Sequence, residues 1–188
     1  EAYLAGVEQL AARGGNLNVA SVASFFISRV DSIVDDELEK AGVLELQGKI
    51  AIANAKIVYQ RFGQIFSGDR WDKLARAGAQ VQRVLWASTG TKNPAYPDTL
   101  YMDELIGKDT VNTVPPATLT AFMDHGAVAS TLPLEANSPQ QYIDQLQELG
   151  IDIDAITEQL QKQGLDAFSE SFENLINAIS EKLAKIKA

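Results

Sequence analysis

The chain has 188 residues, no cysteine, one histidine and a formal net charge of -9. With 46% hydrophobic and 22% charged residues it can bury one domain-sized core and is not of the disordered class. The composition excludes disulfide and thiolate chemistry and disfavours zinc; the acidic balance argues against broad nucleic-acid binding, and no apolar run reaches the ~20 residues of a membrane helix.

The chain opens at Glu1, already inside a helical pattern, with Leu4, Val7, Leu10 and Ala11 at helical spacing and Gly14-Gly15 as the stop. No basic-then-apolar leader is visible, so a cytoplasmic location is expected. A start without methionine or a capping residue suggests the later part of a longer protein. A first strand is expected from about Val22 to Ile27, apolar on both faces as in a covered parallel sheet. It stops at the polar tip Ser28-Arg29. Asp31-Ser32 then reads as the cap of a helix carrying Ile33, Val34 and Leu38 before Gly42. A longer helix is expected over Lys49 to Phe66, with Ile50, Ala53, Ile57 and Phe62 inward. A shorter one follows over Trp71 to Ala77.

The second strand falls at about Arg83 to Ala87, and the loop Gly90 to Pro97 follows it. Asp98 reads as the cap of a short helix ending at Gly107. A weaker third strand is expected over Thr110 to Val114, and Pro115-Pro116 opens a helix that stops at His125-Gly126. This alternation predicts an α/β fold with a parallel sheet and crossover helices. The tail is helical. Ser138-Pro-Gln-Gln141 has the form of a capping box, its helix ends at Gly150, and Asp154 reads as the cap of a helix ending at Gly164. The last helix carries an apolar stripe from Leu165 to Ile186, which predicts that the tail packs onto something.

Two strand ends carry the chemistry. Ser24 and Phe26 share one face by alternation, and Arg29 lies just past them. Ser88 and Lys92 repeat a hydroxyl followed by a cation after the second strand. Parallel α/β folds place their sites at such carboxyl ends, and a guanidinium fork suits a phosphate. The alternative for Arg29 is an ion pair with Asp31 or another helix carboxylate. Lys92 as a Schiff-base nucleophile would need desolvation, whereas its Gly/Pro/Asn loop should be wet. His125 suits a helix end, and no nucleophile-elbow pattern exists to use it. Asp31, Asp35, Asp36 and Glu37 lack calcium-loop spacing and read as a solvated helix face. Trp71, Trp86 and Tyr96 read as packing residues, with Trp86 expected in a barrel core.

Three segments, Ser21 to Asp31, Leu85 to Tyr101 and Asp109 to Pro115, resemble the later half of a bacterial transaldolase in order and wording. The resemblance covers nearly the whole chain. It implies the later part of a TIM-type (β/α)8 barrel in residues 1–130, with strands six to eight, and a C-terminal helical extension in 131–188 packing on it. It implies transfer of a dihydroxyacetone unit between sugar phosphates through a lysine Schiff base, in the pentose phosphate pathway. Neither cofactor nor metal is required. The substrates implied are fructose 6-phosphate, sedoheptulose 7-phosphate, erythrose 4-phosphate and glyceraldehyde 3-phosphate.

On that resemblance Arg29 would bind the substrate phosphate, Ser24 and Phe26 would line the pocket, and Ser88 matches a pocket serine. Where the family has a nearby arginine this chain reads Thr89-Gly90-Thr91-Lys92, so Lys92 is the best substitute. The family's Schiff-base lysine and its acid/base carboxylates would precede Glu1, so no catalytic residue is assigned within 1–188. The isolated chain is expected to be inactive without the N-terminal half of the barrel. The alternative is a non-catalytic sugar-phosphate-binding or scaffold module. No nucleic-acid or membrane partner is expected, and a homo-oligomer is compatible with the sequence.

Overall fold

The computed structural model describes residues 1–133 and 139–187. The chain divides into two compact units, Glu1–Ile151 and Asp152–Ala188.

The first unit starts with α1 (Ala2–Ala12) and β1 (Ser21–Phe26), followed by α2 (Ser28–Ala41), a 3-10 turn at Leu44–Leu46 and α3 (Ile50–Ile65). Next come α4 (Gly68–Arg76), β2 (Gln82–Ala87), α5 (Leu100–Glu104), β3 (Thr110–Asn112), α6 (Pro116–His125) and α7 (Pro139–Glu148). The three strands form one parallel sheet in the order β1-β2-β3. Sequential strands lie side by side, joined by the helical crossovers that parallel neighbours need. The register sets Ser24 beside Leu85 and Phe26 beside Ala87.

One face of the sheet is covered by helices. Trp86 on that face is fully buried, and its indole N–H donates to the Leu105 carbonyl at 3.1 Å. The aromatic neighbour of Trp86 is Phe25, with ring centroids 6.3 Å apart. A cavity between α1, β1 and α3 is lined by Tyr3, Ala23, Phe25, Phe62 and Val84. Trp86 is therefore core on the helix side rather than barrel interior. The expectation of a strand covered on both faces fails for β1. Val22 is 40% exposed and Ser24 is exposed on one face of this edge strand, and Phe25 is 36% exposed on the other.

Helix α1 packs on α4 through Leu4, Val7, Trp71 and Leu74. The Arg70 guanidinium ties their surfaces by donating to both Glu8 oxygens, at 2.7 and 2.9 Å, and to Glu1 at 2.7 Å. Helices α2 and α3 bury Val34, Leu38, Ile50, Ala51 and Ala53.

Helix starts differ most from expectation. Helix α2 begins at Ser28, directly after Ile27, so Asp31 lies within its first turn and is not a cap. Helix α4 begins at Gly68 rather than near Trp71. Asp98 does not cap α5; it accepts from His125 at 2.9 Å, and Thr99 precedes the helix. The expected capping residue Ser138 lies outside the described residues, although α7 does start at Pro139.

The second unit holds α8 (Ile153–Lys187), which runs unbroken through Gly164. One interior glycine costs only about 1 kcal/mol against alanine, too little to end so long a helix. Its cap is Asp152, not Asp154: one carboxylate oxygen accepts from the amides of Asp154 and Ala155 at 2.9 and 3.2 Å. The stripe of Leu165, Phe168, Phe172, Leu175, Ile179 and Leu183 is exposed. No helix among the described residues is long and apolar enough to cross a membrane.

Candidate functional site

The carboxyl ends of β1 and β2 lie next to each other, and the pairing continues past both. The Ile27 amide donates to the Ala87 carbonyl at 2.9 Å and the Ser28 amide to the Ser88 carbonyl at 3.0 Å. This fixes the first turn of α2 beside the segment that leaves β2. Two of the expected site residues meet directly. The Arg29 guanidinium carbon lies 4.3 Å from the centroid of the Phe26 ring, a cation-π contact that holds the cation over the end of β1. Arg29 is exposed, and among the described residues it takes part in no ion pair, with Asp31 or any other carboxylate.

Ser24 and Phe26 share one face of β1, as alternation predicts. Ser88 is half-buried and holds φ 57°, a left-handed conformation rare for a residue other than glycine. Lys92 is exposed and sits farther along the same loop. The cation after β1 is carried on a helix rather than a loop, contrary to expectation, because α2 starts immediately. That places the positive end of the α2 dipole at the strand ends.

A cavity of about 300 Å³ opens beside this junction. Ser28, Asp31, Asp35, Lys92, Tyr96 and Tyr101 are among its lining residues. The Ser28 hydroxyl is buried and has no hydrogen-bond partner among the described residues. Asp31 and Asp35 overturn the reading of a solvated acidic face, since Asp31 is 1% and Asp35 9% exposed. Each carboxylate takes one backbone amide and one phenol. Asp31 accepts from Ala51 N at 2.8 Å and Tyr101 Oη at 2.7 Å. Asp35 accepts from Gly48 N at 3.1 Å and Tyr96 Oη at 2.6 Å.

Burial pushes the Asp31 carboxyl up to about 6 against the pull of its two donors. Asp35 is also raised, chiefly by burial. Both phenols are raised too, by burial first and then by the facing carboxylates, so they stay protonated donors. Sequence reasoning missed these four residues. The available signal was the helical phase: Asp31 and Asp35 follow Ile27 at four-residue steps and sit beside Val34 and Leu38 on the buried stripe.

His125 stays outside this site. It is exposed and bonded to Asp98 and Asp124, as befits a surface group at the end of α6. Among the described residues no three His, Cys, Asp or Glu side chains gather in a way that could hold a metal ion.

A family described as transaldolase/fructose-6-phosphate aldolase matches residues 2–179. The transaldolase of Trichodesmium erythraeum is 45% identical over 199 residues, covering 98% of this chain and 52% of that protein. The transaldolase of Saccharopolyspora erythraea is 47% identical over 190 residues, covering 100% of this chain and 52% of the relative. A protein named transaldolase 2 from Nostoc sp. is 43% identical over 197 residues, covering 97% and 52%. The chain spans about half the length of the curated relatives it matches.

Proposed function

Since the chain belongs to the transaldolase/fructose-6-phosphate aldolase family, we propose that residues 1–188 supply the phosphate-binding half of a transaldolase. In this reading β1, β2 and β3 are barrel strands six to eight, residues 1–130 belong to the barrel, and 131–188 form its helical extension. A Schiff-base lysine outside residues 1–188 carries the dihydroxyacetone unit. This half holds the phosphate of the sugar substrate.

One observation carries the reading. Arg29 is held over Phe26 at the end of β1, with no carboxylate partner among the described residues and with the end of β2 fixed beside it. The guanidinium N–H groups are thus free of an internal anion and suit a phosphate dianion. The α2 N-terminus adds a favourable field there. Ser88 supplies a hydroxyl from the adjacent strand end, Lys92 a second cation, and Ser24 and Phe26 the wall of the pocket.

The test is Arg29→Ala in the complete chain. Loss of a hydrogen-bonded charge contact of ~1.5–3 kcal/mol raises KM for fructose 6-phosphate about tenfold to a hundredfold. An unchanged KM removes Arg29 from the site.

A binding-only module is the second reading. It is favoured because Lys92, which lines the cavity beside the strand ends, is exposed and therefore poorly suited to be a nucleophile. Borohydride trapping with fructose 6-phosphate separates the two. A three-carbon adduct outside residues 1–188 supports the enzyme, an adduct on Lys92 moves the chemistry into this half, and no adduct favours the module.

A further inference from the structure

The segment from Ser88 to Thr99 has no regular structure of its own, yet its far half is anchored in a built socket. Gly48 holds φ 71°, and a Cβ placed on it would lie 2.9 Å from the Tyr96 ring. The ring therefore rests directly on the Gly48 backbone. Asp35 closes the socket by accepting from the Gly48 amide with one oxygen and from the Tyr96 hydroxyl with the other. The near end of the same segment is fixed to the first turn of α2 by the Ser28–Ser88 bond, and the Thr89 hydroxyl donates to Asn112 at 2.7 Å. The two fastenings leave only Gly90 to Ala95 between them, with Lys92 near the middle.

We propose that Tyr96, seated in the Gly48–Asp35 socket, is a positioning residue that sets where Lys92 stands relative to Ser88 and Arg29, and so tunes affinity for the phosphate of the substrate. This rests on the proposed phosphate-binding role of that junction and deepens it. Tyr96 touches no substrate in this account. It acts through the loop, and Asp35 acts through Tyr96. Removing the phenolic hydroxyl lets the loop shift while the ring still fills its place.

The experiment uses the complete chain and the ratio of kcat/KM for fructose 6-phosphate to that for fructose. Only the first donor carries a phosphate. Tyr96→Phe lowers this ratio about threefold to tenfold, the net scale of one ordinary hydrogen bond. Asp35→Ala lowers it similarly. Asp35→Asn restores it, since the amide can accept from Gly48 and donate to the phenol oxygen.

If Tyr96→Phe only lowers the melting temperature, or reduces both donors equally, the residue is structural and the inference fails. If Arg29→Ala lowers the ratio and Tyr96→Phe does not, the inference fails while the phosphate reading stands. If Arg29→Ala leaves the ratio unchanged, the reading falls and the inference falls with it.

Discussion

Ser88 holds a left-handed backbone, which costs an L residue roughly 1–2 kcal/mol. Glycine would relieve that strain and give back roughly 0.5–1 kcal/mol as lost chain entropy. Ser88→Gly is therefore expected to be as stable as the parent or slightly more so by urea denaturation. Ser88→Val, β-branched at the same φ, is expected to lose more than about 1 kcal/mol. A Val variant of parental stability would mean that the conformation relaxes at no cost. The residues at the strand ends were legible because alternation assigns Ser24 and Phe26 to one face and Arg29 lies just past the last strand position. Asp31 and Asp35 were not, since the phenols that bind them lie 70 and 61 positions away in sequence. A local run of carboxylates looks like a wet surface until a distant donor is known.

At the scale of elements, strands were placed to within two residues and helix starts were placed poorly. Strand limits follow from apolar runs. A helix start depends on which nearby polar side chain satisfies the first amides, and neighbouring candidates compete. Asp152 took the role expected of Asp154 because its oxygen reaches two amides of the first turn of α8. Asp152→Ala is expected to weaken that turn by ~1 kcal/mol, read as faster hydrogen exchange at Asp154 and Ala155. Unchanged exchange there would show that the carboxylate is dispensable. Gly164 misled for a related reason: glycine favours a helix end where the chain turns left-handed, as at Gly42 and Gly150, and Gly164 makes no such turn.

For the molecule as a whole, the alternation of helix and strand made the parallel sheet readable, whereas its order β1-β2-β3 came from the structure. It could not show that Val22 and Ser24 of β1 are exposed. Global stability should also carry the signature of the buried carboxylate. Asp31 binds its proton more tightly folded than unfolded, so its contribution is fully present below the unfolded value of about 4 and is lost as pH rises through about 6. The effect is on the order of 3 kcal/mol. His125, raised by Asp98 and then Asp124, acts in the same direction: its contribution is present below about 6.5 and fades as pH rises through its folded value. Urea midpoints compared at about pH 5 and pH 7.5 should thus fall with rising pH, less steeply in Asp31→Asn. An identical slope in that variant would exclude Asp31 as a source.

The paired carboxylates and phenols also constrain what can be transplanted. Asp31 and Asp35 are one helical turn apart on α2, and the tyrosines they hold lie on opposite sides of the start of α5. A deletion or insertion between Tyr96 and Tyr101 would leave one phenol without its acceptor. Exchanging the loop after β2 for that of a relative would therefore require moving four side chains and Gly48 together, although the exchanged stretch itself contains only some of them.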